Sequence, residues 1–110
     1  MDPKILAAIT EEYRKTIPQK LELLDQLVKC LENEKTIEAL KGLRQHIHKL
    51  AGSAGTYGFD EVSALCKQWD LRLLQLIDRF PVEGIEVSLW ADLALLSKNI
   101  KQGFGYDKKP

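Results

Sequence analysis

The sequence predicts an all-α fold: an antiparallel up-down four-helix bundle with a short additional N-terminal helix. Two observations predict it. Apolar residues recur three and four apart through nearly the whole chain, the spacing of a helix face. Leu, Ala, Glu, Lys and Gln together far outnumber Val and Ile, a composition that favours helix over strand.

Asp2 and Pro3 start the first helix, an N-cap acid followed by proline in the first turn, and Leu6, Ile9 and Tyr13 share one face. Pro18 disfavours helical geometry at Ile17, so a break or kink is expected there, with Thr16 capping the next segment. That segment carries Leu21, Leu24, Val28 and Leu31, and Glu32 to Lys35 form a polar break. The third helix has the clearest seam, Leu40, Leu43, Ile47, Leu50, Ala54 and Tyr57, and Gly58 ends it. The fourth opens at Phe59 or Asp60, with Val62, Leu65, Trp69, Leu73 and Leu76 facing the core, and Pro81 stops it by Phe80. The last runs from about Gly84 to Lys101 on Val87, Trp90, Leu93 or Ala94, and Ile100. Trp69 and Trp90 are expected in the core. One domain over 1–103 is expected, with 104–110 (FGYDKKP) a flexible tail.

The 110 residues suit a single core. Sixteen basic residues balance sixteen acidic ones, which removes any whole-domain electrostatic grip on nucleic acid or anionic lipid. Cys30 and Cys66 lack metal-type spacing, no apolar run approaches a membrane span, and the start MDPKILAAITEEYRK has acids where a secretion signal is basic. A cytoplasmic monomer without metal or cofactor is the expectation.

The informative stretch is RQHIHKLAGSAGTYGF, residues 44–59. It holds both histidines, and Gly52 and Gly55 lie inside its helical pattern although each costs ~1 kcal/mol relative to alanine. His48 follows the seam residue Ile47, so it points about 100° away from the core. His46, two residues back, lies on another side, which removes the metal reading of His-x-His and leaves His46 a surface or packing role. Gly52, one turn beyond His48, leaves the imidazole open to a large partner.

A count from the turn gives His48 a neighbour. His48 is 11 residues before position 59 and Asp70 is 11 after it, so an antiparallel hairpin puts them level. A carboxylate accepting the Nδ1 hydrogen fixes the tautomer and leaves Nε2 as the nucleophile. Lys41, Arg44 and Lys49 against Glu38 make residues 36–58 net +2, which suits an imidazole that meets a phosphoryl group.

His48-Lys49-Leu50-Ala51-Gly52-Ser53, Gly58-Phe59 and Cys66-Lys67-Gln68-Trp69-Asp70 together resemble the histidine-containing phosphotransfer (HPt) domain. The match is strongest over residues 36–75, and the number and length of the flanking helices extend it over nearly the whole chain. Two positions depart from the family pattern: Ala51 stands where many members have lysine, and Asp70 where glutamine or glutamate is common.

The resemblance implies a phosphorelay carrier. His48 accepts a phosphoryl group from a phospho-aspartate on a response-regulator receiver domain and passes it to another, and Asp70 orients the ring. Magnesium resides on the receiver, and a hybrid histidine kinase is a further partner. With no ATP-binding motif in the sequence, the chain is a phosphocarrier and not an enzyme. Arg44, Gln45, Lys49, Ala51, Gly52 and Gln68 are expected to support the phosphoryl group or the partner, with apolar residues of the second helix beside them. The alternative is a degenerate bundle that docks a receiver or kinase without carrying phosphate, which Ala51 favours.

Overall fold

The computed structural model describes residues 2–80 and 87–106, in which four α-helices follow one another: α1 (Pro3–Glu34), α2 (Ile37–Thr56), α3 (Asp60–Asp78) and α4 (Val87–Gly103). α2 packs on α1 and α3, and α4 closes the bundle against the same two helices. The first two helix starts have side-chain caps. Asp2 accepts from the Lys4 amide, and Thr36 accepts from that of Ala39. Lys35 takes the left-handed conformation at the end of α1, and Gly58, with φ 86°, does so in the turn between α2 and α3.

The separate short helix expected before Pro18 is absent, because α1 runs through the proline. Proline has no N–H to give the Arg14 carbonyl, an omission that normally costs ~3 kcal/mol in a helix interior. Here Tyr106 donates its hydroxyl to that carbonyl at 3.4 Å. Tyr13, Ile17, Leu21, Leu24, Val28 and Leu31 then form one buried stripe across the proline, holding both halves on a common axis. Thr16 donates to the Tyr13 carbonyl within the helix instead of capping a second one.

The core follows the expected seam of α2 from Leu40 to Ala54. In α3 it is rotated: Val62, Ser63, Cys66 and Leu73 are buried, whereas Leu65, Trp69 and Leu76 pack only partly against it. Small side chains at 63 and 66 let α3 approach α2 closely. A Cβ on Gly55 would stand 2.9 Å from Ser63 Oγ, so this glycine serves packing. In α4 the buried face is Leu89, Leu93, Leu96 and Ile100; Trp90 is half-buried under the Lys35 ammonium, and Ala94 is exposed. Leu6 and Ile9, expected to share a face with Tyr13, are exposed, while Tyr13 is buried.

The packed chain continues past Gly103, the expected end of the domain. Phe104 is buried, with its ring edge-on to Phe59 at 5.0 Å, and Tyr13 stacks on Tyr57 at 4.3 Å in the same aromatic cluster. Residues 107–110 of the expected tail, and the expected stop at Pro81 and start at Gly84, lie outside the described residues, as does the side chain of Val87.

Candidate functional site

His48 and Asp70 meet where the count from the turn puts them. His48 Nδ1–H donates to Asp70 Oδ2 at 2.9 Å, with the histidine side chain 61% exposed and the aspartate 18%. Ile47, the preceding residue, is fully buried, so one residue's rotation carries the ring out of the core to the flank of the α2–α3 interface. The acceptor fixes the neutral tautomer, because a carboxylate takes a hydrogen from Nδ1 and leaves the Nε2 lone pair facing outward.

Arg44, one turn before His48, occupies the other carboxylate oxygen: its Nε donates to Asp70 Oδ1 at 2.6 Å. Burial pushes the Asp70 carboxyl up, but the hydrogen bonds from His48 and Arg44 and the guanidinium charge outweigh it and hold its pKa below the ordinary value. Asp70 is therefore an anion pinned at both oxygens, unable to turn away from the imidazole. Sequence reasoning gave Arg44 a place beside a phosphoryl group; the structure spends its charge on the carboxylate instead. The spacing Arg44 to His48 already put both on one face of α2, and the level of Asp70 carried the rest of the signal.

The other expected residues divide. Gly52 is exposed, and a Cβ there would meet nothing within 4 Å, so no packing demand explains the glycine. Gln45 is exposed one turn before His48, in a hollow it shares with Lys41, Arg44, Leu74 and Ile77. Lys49 is turned toward α1, in a groove with Lys20, Leu23 and His46. Two expectations are corrected. Ala51 is only 6% exposed and packs inward, because four residues after Ile47 it falls back on the seam. Gln68, two residues before Asp70, lies about 200° around α3 and does not share the aspartate's face. Lys67, which the sequence reading passed over, is exposed and lines a hollow with Ala51 and Gly52.

His46 is held elsewhere. Its Nε2–H donates to the Lys20 carbonyl on α1 at 3.0 Å, and burial lowers its pKa. Cys66 is fully buried, and burial pushes its thiol up to about 12. Cys30 donates its thiol to Glu34 Oε2 at 2.6 Å, which raises its pKa. Among the described residues no three His, Cys, Asp or Glu side chains are grouped to hold a metal ion, and no helix is long and apolar enough to cross a membrane.

The model of one protein family, described as the Hpt domain, matches residues 8–97. No curated protein and no solved structure matches the chain.

Proposed function

The chain belongs to the Hpt domain family, phosphocarriers that act with receiver domains in phosphorelay signalling, and from that premise we propose that His48 is its phosphoacceptor. The observation that carries the reading is the Nδ1–H bond to Asp70 on a ring 61% exposed. It leaves one nitrogen with a lone pair, aimed at solvent and held in one orientation.

The step follows from that geometry. Nε2 attacks the phosphorus of an aspartyl phosphate on a receiver. A P–N bond forms, the P–O bond to the aspartate breaks, and the aspartate leaves as carboxylate. Nδ1 keeps its proton, so the ring acquires a positive charge that the Asp70 anion balances. Arg44 keeps that anion in place through Oδ1. The same steps in reverse deliver the group to a second receiver, so the chain carries phosphate without consuming ATP. Magnesium belongs to the receiver in this reading, the chain acts as a cytoplasmic monomer, and a hybrid histidine kinase is an upstream partner.

Gly52 supports the docking half of the proposal. An uncovered glycine in mid-helix forfeits stability that alanine would supply, and the gain is a clear approach to His48. Leu23 on α1 and Leu74 on α3 are exposed apolar residues flanking α2 on its two sides, available to a receiver.

The test is incubation with a phosphorylated receiver. Acid-labile, base-stable label on the wild type, lost in His48→Gln and kept in His46→Gln, is the expected result. Receiver binding with no label on His48 would leave only a docking module.

A further inference from the structure

We infer that Lys67 is a second contact for the phosphoryl group: its ammonium bonds the phosphoryl oxygens on His48 Nε2 from across the hollow above Gly52. The inference rests on the phosphocarrier reading of His48 and adds to it a charge supplied by α3.

Position comes first. Lys67 lies three residues before Asp70, on the same face of α3. Since α3 runs antiparallel to α2 and Asp70 is bonded to His48, one turn back along α3 is level with one turn forward along α2. The count agrees, for Lys67 is eight residues after position 59 and Ala51 eight before it. Lys67, Ala51 and Gly52 accordingly line one hollow, which Ser63 and Gly55 continue toward the turn. Its floor beside His48 is open, since nothing lies within 4 Å of where a Gly52 side chain would begin.

Availability comes second. Several neighbouring cations are committed: Arg44 to Asp70, Arg72 to Asp92, Lys101 to Asp25, and Lys20 to Thr16. Lys67 is exposed and has no ion pair or hydrogen bond with the described residues; Asp60, which also lines the hollow, does not pair with it. Lys49 also has no ion pair or hydrogen bond with the described residues, but it stands in the groove against α1, whereas the His48 ring leans toward α3. Lys41 has no partner among the described residues either, but it stands two turns before His48, in the hollow with Gln45 and Leu74; the unpaired charge beside Gly52 is the one on α3.

Chemistry comes third. A lysine ammonium is a compact charge with three donors on a flexible four-carbon stem, suited to following a phosphoryl group that arrives on one partner and leaves on another. In so wet a setting the gain is modest, about fivefold in rate.

The test loads the full chain with phosphoramidate, a small phosphoryl donor that needs no receiver, and follows label on His48 in wild type, Lys67→Gln, Lys67→Arg and Lys49→Gln. Label should form about fivefold more slowly in Lys67→Gln. Lys67→Arg should restore most of the rate, and an equal slowing in Lys49→Gln would assign the effect to general charge and overturn the inference. Wild type labelled on His48 with Lys67→Gln equally fast overturns this inference and leaves the phosphocarrier reading standing. Wild type that takes no label on His48 overturns that reading and this inference with it.

Discussion

The two histidines of α2, two residues apart, have opposite surroundings. His46 turns to α1, half-buried, with its Nε2–H on the Lys20 carbonyl. His48 turns to α3, mostly exposed, with Nδ1–H on a carboxylate and Nε2 free. Nothing in the residue type separates them. The 200° between them on the helix decides which nitrogen is bound, what binds it and whether a partner reaches the ring. A backbone carbonyl ties His46 into the fold. A carboxylate held by Arg44 turns His48 into an oriented nucleophile.

The largest expected difference is in phosphoryl transfer. His48→Gln should abolish it and leave the melting temperature nearly unchanged, since the side chain is mostly solvated. His46→Ala should do the reverse: transfer persists while stability falls by about 1 kcal/mol, the worth of the bond to Lys20. Equal loss of transfer in both variants would erase the distinction.

Next in size is the carboxylate. Asp70→Asn should slow transfer by roughly ten- to a hundredfold, the effect typical of a lost orienting partner, without preventing folding. Transfer at the wild-type rate would show that the bond to Nδ1 does not prepare the ring.

Much of this was legible in the sequence. The α2 seam from Leu40 to Ala54 fixed which way His48 points, and counting from the turn paired it with Asp70, because an antiparallel helix hairpin leaves little freedom in level. What could not be read depended on residues far apart in sequence. Pro18 breaks no helix, for the buried stripe from Tyr13 to Leu31 packs across it and Tyr106, 88 residues later, reaches the carbonyl it leaves bare. The α3 face was misread because its larger residues, Leu65, Trp69 and Leu76, drew the seam toward themselves, while close approach to α2 needed the small Ser63 and Cys66 inside. Gln68 stands two residues from Asp70, and the helix angle turns it off the aspartate's face; Ala51 stays on the His48 side of α2 but is buried against the seam.

The two sides should also differ in acid. His46 has a lowered pKa when folded, so the unfolded chain binds its proton first. Its contribution is complete above the ordinary histidine value of about 6.5 and is lost as pH falls below it. Asp70, also lowered, contributes fully above the ordinary carboxyl value of about 4 and loses its contribution as pH falls through the folded value. Urea unfolding across pH should show both declines, the upper one missing in His46→Ala and the lower one reduced in Asp70→Asn. An upper decline that survives in His46→Ala would assign it to another group.

The smallest effect belongs to Gly52. Gly52→Ala should raise stability by about 0.5–1 kcal/mol, since the new methyl meets nothing and the helix gains propensity. Gly52→Gln should slow transfer from a receiver by more than it slows phosphoramidate labelling, because the receiver needs the clearance while the small donor loses only the approach of Lys67. Equal slowing with both donors would place the effect at the ring and not at docking.

The most direct measurement is combined phosphorus-31 and nitrogen-15 NMR of the phosphorylated chain, which reports the residue and the ring nitrogen that carry phosphorus. Phosphorus on Nε2 of His48, with the Nδ1 proton still present and bonded to Asp70, is the expected result. Phosphorus on Nδ1, or on any other side chain, would contradict it.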